Sequence, residues 1–168
     1  MNIFATSPSP EESAVVLDDK RLNKMILESA QLMCTTLNLL GIKTPYRSTH
    51  ANHPVRLWVG ETSANYYWLL QHFICLNTEF LRRNSKIHKC NLMLEIFLDG
   101  ANHINLGLLT PHPNCTPFKE ELDTHQAYKM TLCKKWKEDK RKPTWKNSNP
   151  PDWYPCRDSN SVLVLERH

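Results

Sequence analysis

Apolar residues recur at helical spacing through most of the chain. From Lys20 to about Leu40, the side chains Leu22, Met25, Ile26, Met33 and Leu37 fall along one side, and Gly41 supplies a natural stop. This segment predicts a long amphipathic helix. Glu61 to Arg83 carries Tyr66, Tyr67, Leu69, Leu70, Phe73, Ile74, Leu76 and Phe80, a density that predicts a largely buried helix at the centre of the core. Arg82 and Arg83 then sit at the negative end of its dipole. A short helix is expected ahead of both: Ser9 can cap it, Pro10 suits its first position, Glu11 and Glu12 favour its positive end, and it should end near Asp18 and Asp19.

The polar linker Ile42 to Asn52 leads into His53 and Pro54, which open a third helical stretch through about Trp58. His88 to Leu98, closed by Asp99 and Gly100, reads as another helix, and Phe118 to about Asp139 returns to a helical pattern with Leu122, Ala127, Met130 and Leu132. Between these two, Ala101 to Pro117 is rich in Asn and Pro and predicts an irregular loop, long enough to hint at function. The last stretch, Ser161 to His168, could form a short strand or a docked arm. The expected fold is therefore all-α: one compact multi-helix domain over residues 1–168, with 142–168 an irregular, Pro- and Trp-rich segment.

Composition narrows the classes. With 40% apolar and 23% charged residues in 168, the chain can bury a core and lies far from the composition of disorder. No apolar stretch approaches the roughly 20 residues needed to span a bilayer, and the start lacks a basic region followed by an apolar one. A cytoplasmic, non-membrane protein is expected, with its six cysteines as free thiols. No C-x-x-C or H-x-x-x-H spacing occurs, so neither a metal nor another cofactor is expected. Four glycines and no Gly-rich phosphate loop argue against a nucleotide-binding Rossmann or P-loop reading.

Three groups of residues could carry chemistry. On a helical wheel Arg21, Lys24, Glu28, Gln31 and Thr35 share one side, roughly opposite the apolar stripe. A carboxylate flanked by cations can steady a developing positive charge or position a water; the bland alternative is a solvated face with an i,i+4 ion pair. The loop Thr49, His50, Ala51, Asn52, His53 and Pro54 gathers two imidazoles before a helix start, where a phosphate or a general acid could sit, or where Asn52 or His53 could simply cap. Finally, Lys129 to Lys146 holds eight Lys/Arg against Glu138 and Asp139, interleaved with Trp136 and Trp145. Cations for phosphates and flat rings for bases are what nucleic acid needs, although most basic runs are solvated surface.

Several segments together carry a resemblance: Met1 to Phe4, LDDKRLNKMILESAQL from Leu17 to Leu32, the Asn52-His53-Pro54 turn with Trp58, Asn65 and Tyr66, then Asp123, Ala127, Tyr128 and Lys142 to Trp145. They resemble the pyrimidine-dimer DNA glycosylases of phage and bacteria over most of the chain. The resemblance implies that Glu28 is the catalytic glutamate, seven residues after Arg21, and that the chain's own α-amino group, on Met1 or Asn2, attacks the sugar C1′. As a class, α-amines lose their proton more readily than lysines by roughly two pH units, which suits such a nucleophile. It also implies that Lys142 to Trp145 packs against damaged DNA.

The family's best-known member has a small residue after its initiator methionine, where this chain has Asn2, and arginines where this chain has Leu27 and Gln31. Retention of Met1 moves the amine by about 3.8 Å. The expected function is removal of a damaged or modified base from double-stranded DNA, with AP-lyase activity if the amine attacks and simple hydrolysis if Glu28 activates water. Arg21, Lys24, Asn52 and His53 are the expected phosphate or base contacts, and Lys134, Lys135, Lys142 and Trp145 the outer DNA surface. The alternatives are a non-catalytic phage-type accessory protein that binds nucleic acid or nucleotide, and an enzyme acting on free nucleotides.

Overall fold

A computed structural model gives the structure and describes residues 1–155. Among the described residues every regular element is helical: α1 (Pro10–Val15), α2 (Asp19–Leu39), α3 (Pro54–Glu61), α4 (Ser63–Asn84), a 3₁₀ turn (Lys89–Met93) running into α5 (Leu94–Gly100), a second 3₁₀ turn (Ala101–His103) and α6 (Thr124–Glu138). The fold is all-α and compact, and no described helix is long and apolar enough to cross a membrane. Ser161 to His168, expected as a strand or docked arm, lies outside the described residues.

The two long helices form the centre. Leu22, Met25, Ile26, Met33 and Leu37 of α2 are buried as their spacing predicts, against Tyr66, Leu69, Leu70, Phe73 and Leu76 of α4. Gly41 ends the α2 segment with φ +83°, a conformation that penalises any Cβ. Local chemistry moved three boundaries. Thr62 breaks the stretch from Trp58 to Tyr66: its Oγ accepts the Asn65 N–H at 3.1 Å, so α3 runs on to Glu61 and α4 starts at Ser63. His88 caps through its imidazole, accepting the Cys90 N–H at 3.1 Å, and the chain enters α5 through a 3₁₀ turn. Asp123 accepts the N–H groups of His125 and Gln126, so α6 begins at Thr124 and Leu122, expected inside it, is 98% exposed.

Two features that look like surface in the sequence are interior. Arg83 is wholly buried, donating to Glu79, to Asp19 and to the carbonyls of Val15 and Leu17, and so ties α4 to the α1–α2 junction. Burial alone would raise the Glu79 carboxyl, but hydrogen bonds and charge from Arg82 and Arg83 outweigh it and hold it below its ordinary range. Trp136 is buried against Trp145, Trp153 and Tyr154, and its Nε1–H donates to Asp18 at 2.7 Å. The Trp145 Nε1–H donates to the Val16 carbonyl at 3.0 Å. These rings join α6 and the C-terminal segment to the α1–α2 corner.

The thiol expectation also needs correction. Cys34, Cys75, Cys90 and Cys115 are free, but Cys133 is disulfide-bonded, and Cys156 lies outside the described residues. That expectation rested on the compartment inferred from the sequence, which does not fix which sulfurs meet in space.

Candidate active site

The site begins with the burial of the chain's first residues. Ile3, Phe4 and Ala5 are buried in the main core, Phe4 edge-on to Tyr128 of α6 and with φ 45°. The Asn2 side chain accepts the Phe4 N–H at 2.8 Å, the Phe4 carbonyl accepts the Thr6 N–H at 2.7 Å, and His125 contacts the Ala5 carbonyl at 2.8 Å. A segment held at so many points has little freedom. Its consequence is local: the backbone N–H of Asn2 donates to Glu28 Oε2 at 2.8 Å.

Glu28 stands on α2, 13% exposed, with Lys24 Nζ one turn back at 3.6 Å and itself 64% exposed. Both open into a hollow of about 380 Å³ that Met1, Asn2, Arg21 and Lys135 also line. The far wall is the end of α6. Arg21 is nearly buried there and donates through Nη1 to Asp139 at 2.8 Å and to Asp18 at 3.2 Å. Asp139 is correspondingly held below the ordinary carboxylate range, first by its hydrogen bond from Arg21 and then by Lys20. Arg21 therefore braces the floor of the hollow, while Lys24 and Lys135 supply exposed charge at its rim.

The histidine loop lies farther along the same side of α2. Thr35, two turns beyond Glu28, is buried and holds Thr49 by paired bonds, its hydroxyl donating to the Thr49 carbonyl at 3.1 Å and accepting the Thr49 N–H at 3.0 Å. His53 caps α3 by accepting the Val55 N–H on Nδ1 at 3.2 Å, which assigns its proton to Nε2. Burial lowers its pKa, and so do the charges of the chain's N-terminus and of His50, whereas Glu28 pulls the other way. The imidazole is thus close enough to feel both the amine and the carboxylate, although it does not line the hollow. Asn52 is exposed beside it.

The remaining sequence candidates separate. Lys134 faces outward, 3.9 Å from Glu138, and Lys142 is exposed; Trp145 is half-buried against Trp136 and Tyr154. Sequence reading missed the threading of the first residues into the core and the Asp139 wall. The resemblance carried by Met1 to Phe4 implied that the start of the chain meets Glu28, but the run Ile3, Phe4 and Ala5 is too short to show by its own period that it is buried. Among the described residues no group of three or more His, Cys, Asp or Glu is placed to hold a metal ion.

The family model described as pyrimidine dimer DNA glycosylase matches residues 1–92, more than half of the chain and all of it up to the second half of the first 3₁₀ turn. The chain belongs to this family. At family level it is a DNA glycosylase acting on pyrimidine dimers, and its partner is DNA. No curated protein and no solved structure matches it. The part of the glycosylase matched by the family includes residue 2, Glu28, the histidine loop and both long helices, whereas α6 and the basic run lie beyond it.

Proposed function

We propose that this glycosylase also acts as an AP lyase, through an imine between its terminal amine and the deoxyribose of the damaged nucleotide. The observation that carries the reading is the 2.8 Å contact between the nitrogen of residue 2 and Glu28 in an open hollow. Only a primary amine can form the imine. With Met1 removed, the nitrogen of Asn2 is that amine; with Met1 kept, its own amine lies one residue away, and Met1 also lines the hollow.

The steps balance around one carboxylate. The amine's electron pair attacks C1′ as the glycosidic bond breaks, and that bonding pair leaves with the pyrimidine. Glu28 takes the proton that the attacking nitrogen must lose and returns one to the ring oxygen O4′, so that the sugar opens to the imine. It then accepts the C2′ proton, and the 3′ phosphate departs by elimination, nicking the strand. Lys24 and Lys135 steady the flanking phosphates, Arg21 positions the helix that carries Glu28, and Asn52 and His53 stand ready as donors to phosphate or base.

The test is incubation of the full-length protein with ultraviolet-irradiated duplex and borohydride, followed by peptide mapping. A covalent adduct on the terminal amine, together with strand nicking, is expected. Base release without adduct or nicking would leave a hydrolytic glycosylase in which Glu28 activates water, and an adduct on a lysine would move the nucleophile elsewhere. A chain that binds irradiated duplex but releases no base would be an accessory binder.

A further inference from the structure

On the opposite flank of α2 from Arg21, a second groove of about 490 Å³ runs between α2 and the turn that follows α4. Lys24 lines both this groove and the catalytic hollow, so the two adjoin across a single helix. Its other cations are Lys86 and Lys89, both exposed, and no acidic residue is among those lining it. Its apolar wall is Leu27, Phe80 and Ile87, the last 66% exposed.

Lys24 has Glu28 beside it at 3.6 Å, but the groove's other two lysines are uncompensated. Arg82 and Arg83, next in the chain, are matched by Glu79, and Lys134 by Glu138, yet among the described residues neither Lys86 nor Lys89 pairs with a carboxylate. The lysines also act on a neighbour: the His88 pKa is pushed down first by burial and then by Lys89 and Lys86. The turn is also fixed in place. Ser85 ends α4 in the left-handed region at φ 53°, its N–H donating to the Leu81 carbonyl at 2.8 Å, and Lys86 then lies 6.0 Å over the Phe80 ring.

A concave strip with cations along one line and apolar side chains beside it matches a polymer of alternating phosphate and sugar. We propose that this groove carries the DNA strand that enters the catalytic hollow, with its phosphates on Lys24, Lys86 and Lys89 and its sugars along Leu27, Phe80 and Ile87. The assignment rests on the hollow being the catalytic site. It places the strand contact on the turn after α4 rather than on the basic run near the C-terminus, whose tryptophans pack inward.

Binding without turnover tests it. In the full-length Glu28→Gln protein, affinity for a duplex containing one pyrimidine dimer is measured over a range of salt. Each lysine that neutralises a phosphate contributes about 0.9 to the slope of log affinity against log salt. Lys86→Ala and Lys89→Ala are therefore each expected to flatten the slope by about that amount and to weaken binding several-fold, whereas Lys43→Ala, exposed elsewhere, leaves both unchanged. Ile87→Ser keeps every charge and should weaken binding with no change of slope. Slopes for the two groove lysines equal to that of Lys43→Ala would overturn the proposal, as would an unaffected Ile87→Ser for the sugar contact. If the wild-type protein neither nicks nor releases base while the groove variants still lose slope, the catalytic reading fails and the groove stands.

Discussion

Residues Ile3 to Ala5 and the Trp136–Trp145 layer are both packed into the helical body, the first against Tyr128 and His125 of α6 and the second at the α1–α2 corner, but their burial serves different ends. The first segment brings a backbone nitrogen to Glu28 and holds it there. The second staples α6 and the chain after it to the α1–α2 corner through Asp18 and Val16. Each combines buried apolar contact with more than one hydrogen bond: Asn2 to Glu28 and His125 to the Ala5 carbonyl in the first, Trp136 to Asp18 and Trp145 to the Val16 carbonyl in the second. The nitrogen of residue 2 ends in the hollow beside Glu28, whereas the indole N–H groups end on the α1–α2 corner.

Glu28→Gln gives the largest contrast. The glutamine oxygen can still accept the Asn2 N–H, so the anchor should survive while the proton shuttle is lost. Base release in single turnover is expected to fall by about 10² to 10⁴, with the thermal midpoint nearly unchanged. Activity within tenfold of wild type would put the chemistry somewhere other than this hollow.

Trp136→Ala should do the reverse. Deleting a buried indole and leaving Asp18 with Arg21 as its remaining donor is expected to cost about 3–5 kcal/mol, read as a lower urea midpoint. If stability instead holds and affinity for irradiated duplex collapses, the tryptophan layer is a binding platform and the contrast drawn above is wrong.

Acid should act on the core beside the N-terminal segment. His72 and His112 are buried with Trp68, and burial pushes each imidazole down to about 4. A histidine whose folded pKa lies below its unfolded value of about 6.5 makes the unfolded state bind more protons between the two values. Stability should be full above about pH 6.5, fall as pH drops toward about 4 by on the order of a few kcal/mol, and change little from these groups below that. Urea titrations of the wild type and of His112→Phe from pH 7 to 4 check the sign, the variant showing the shallower decline.

The long helices were legible because their apolar residues keep a period over five or six turns; Gly41 marks the end of the first, and Ser9 and His53 mark the starts of the short helices α1 and α3 through backbone chemistry. Glu28 was legible as a carboxylate on a polar stripe, but the stripe is not a solvated face. Arg21 and Thr35 on it are buried, because α6 and the histidine loop cover its two ends. Such cover comes from residues about 14 to 118 positions away, which no local window contains. The same limit hid Arg83, which besides Glu79 on its own helix meets Val15, Leu17 and Asp19 at the α1–α2 junction, and the Lys86 to Lys89 turn, which lines a groove with α2. Trp136 and Trp145 show a different limit: an indole among lysines reads alike whether its ring meets a base or a core.

Trp145→Phe is the smallest test and the one that separates those two readings at a single side chain. Phenylalanine keeps a flat ring against Trp136 and Tyr154 but cannot donate to the Val16 carbonyl, so the structural reading expects a loss of about 0.5–1.5 kcal/mol in denaturant. It also expects no change in affinity for dimer-containing duplex. A ring that stacks on a base would behave otherwise, since removing it altogether in Trp145→Ala should then weaken binding by about 1–3 kcal/mol with a salt slope like the wild type's. Measured side by side, a stability loss in both variants with unaltered binding keeps Trp145 in the scaffold. A binding loss confined to Trp145→Ala would carry the DNA surface across to α6, so that the strand is held on both sides of Glu28.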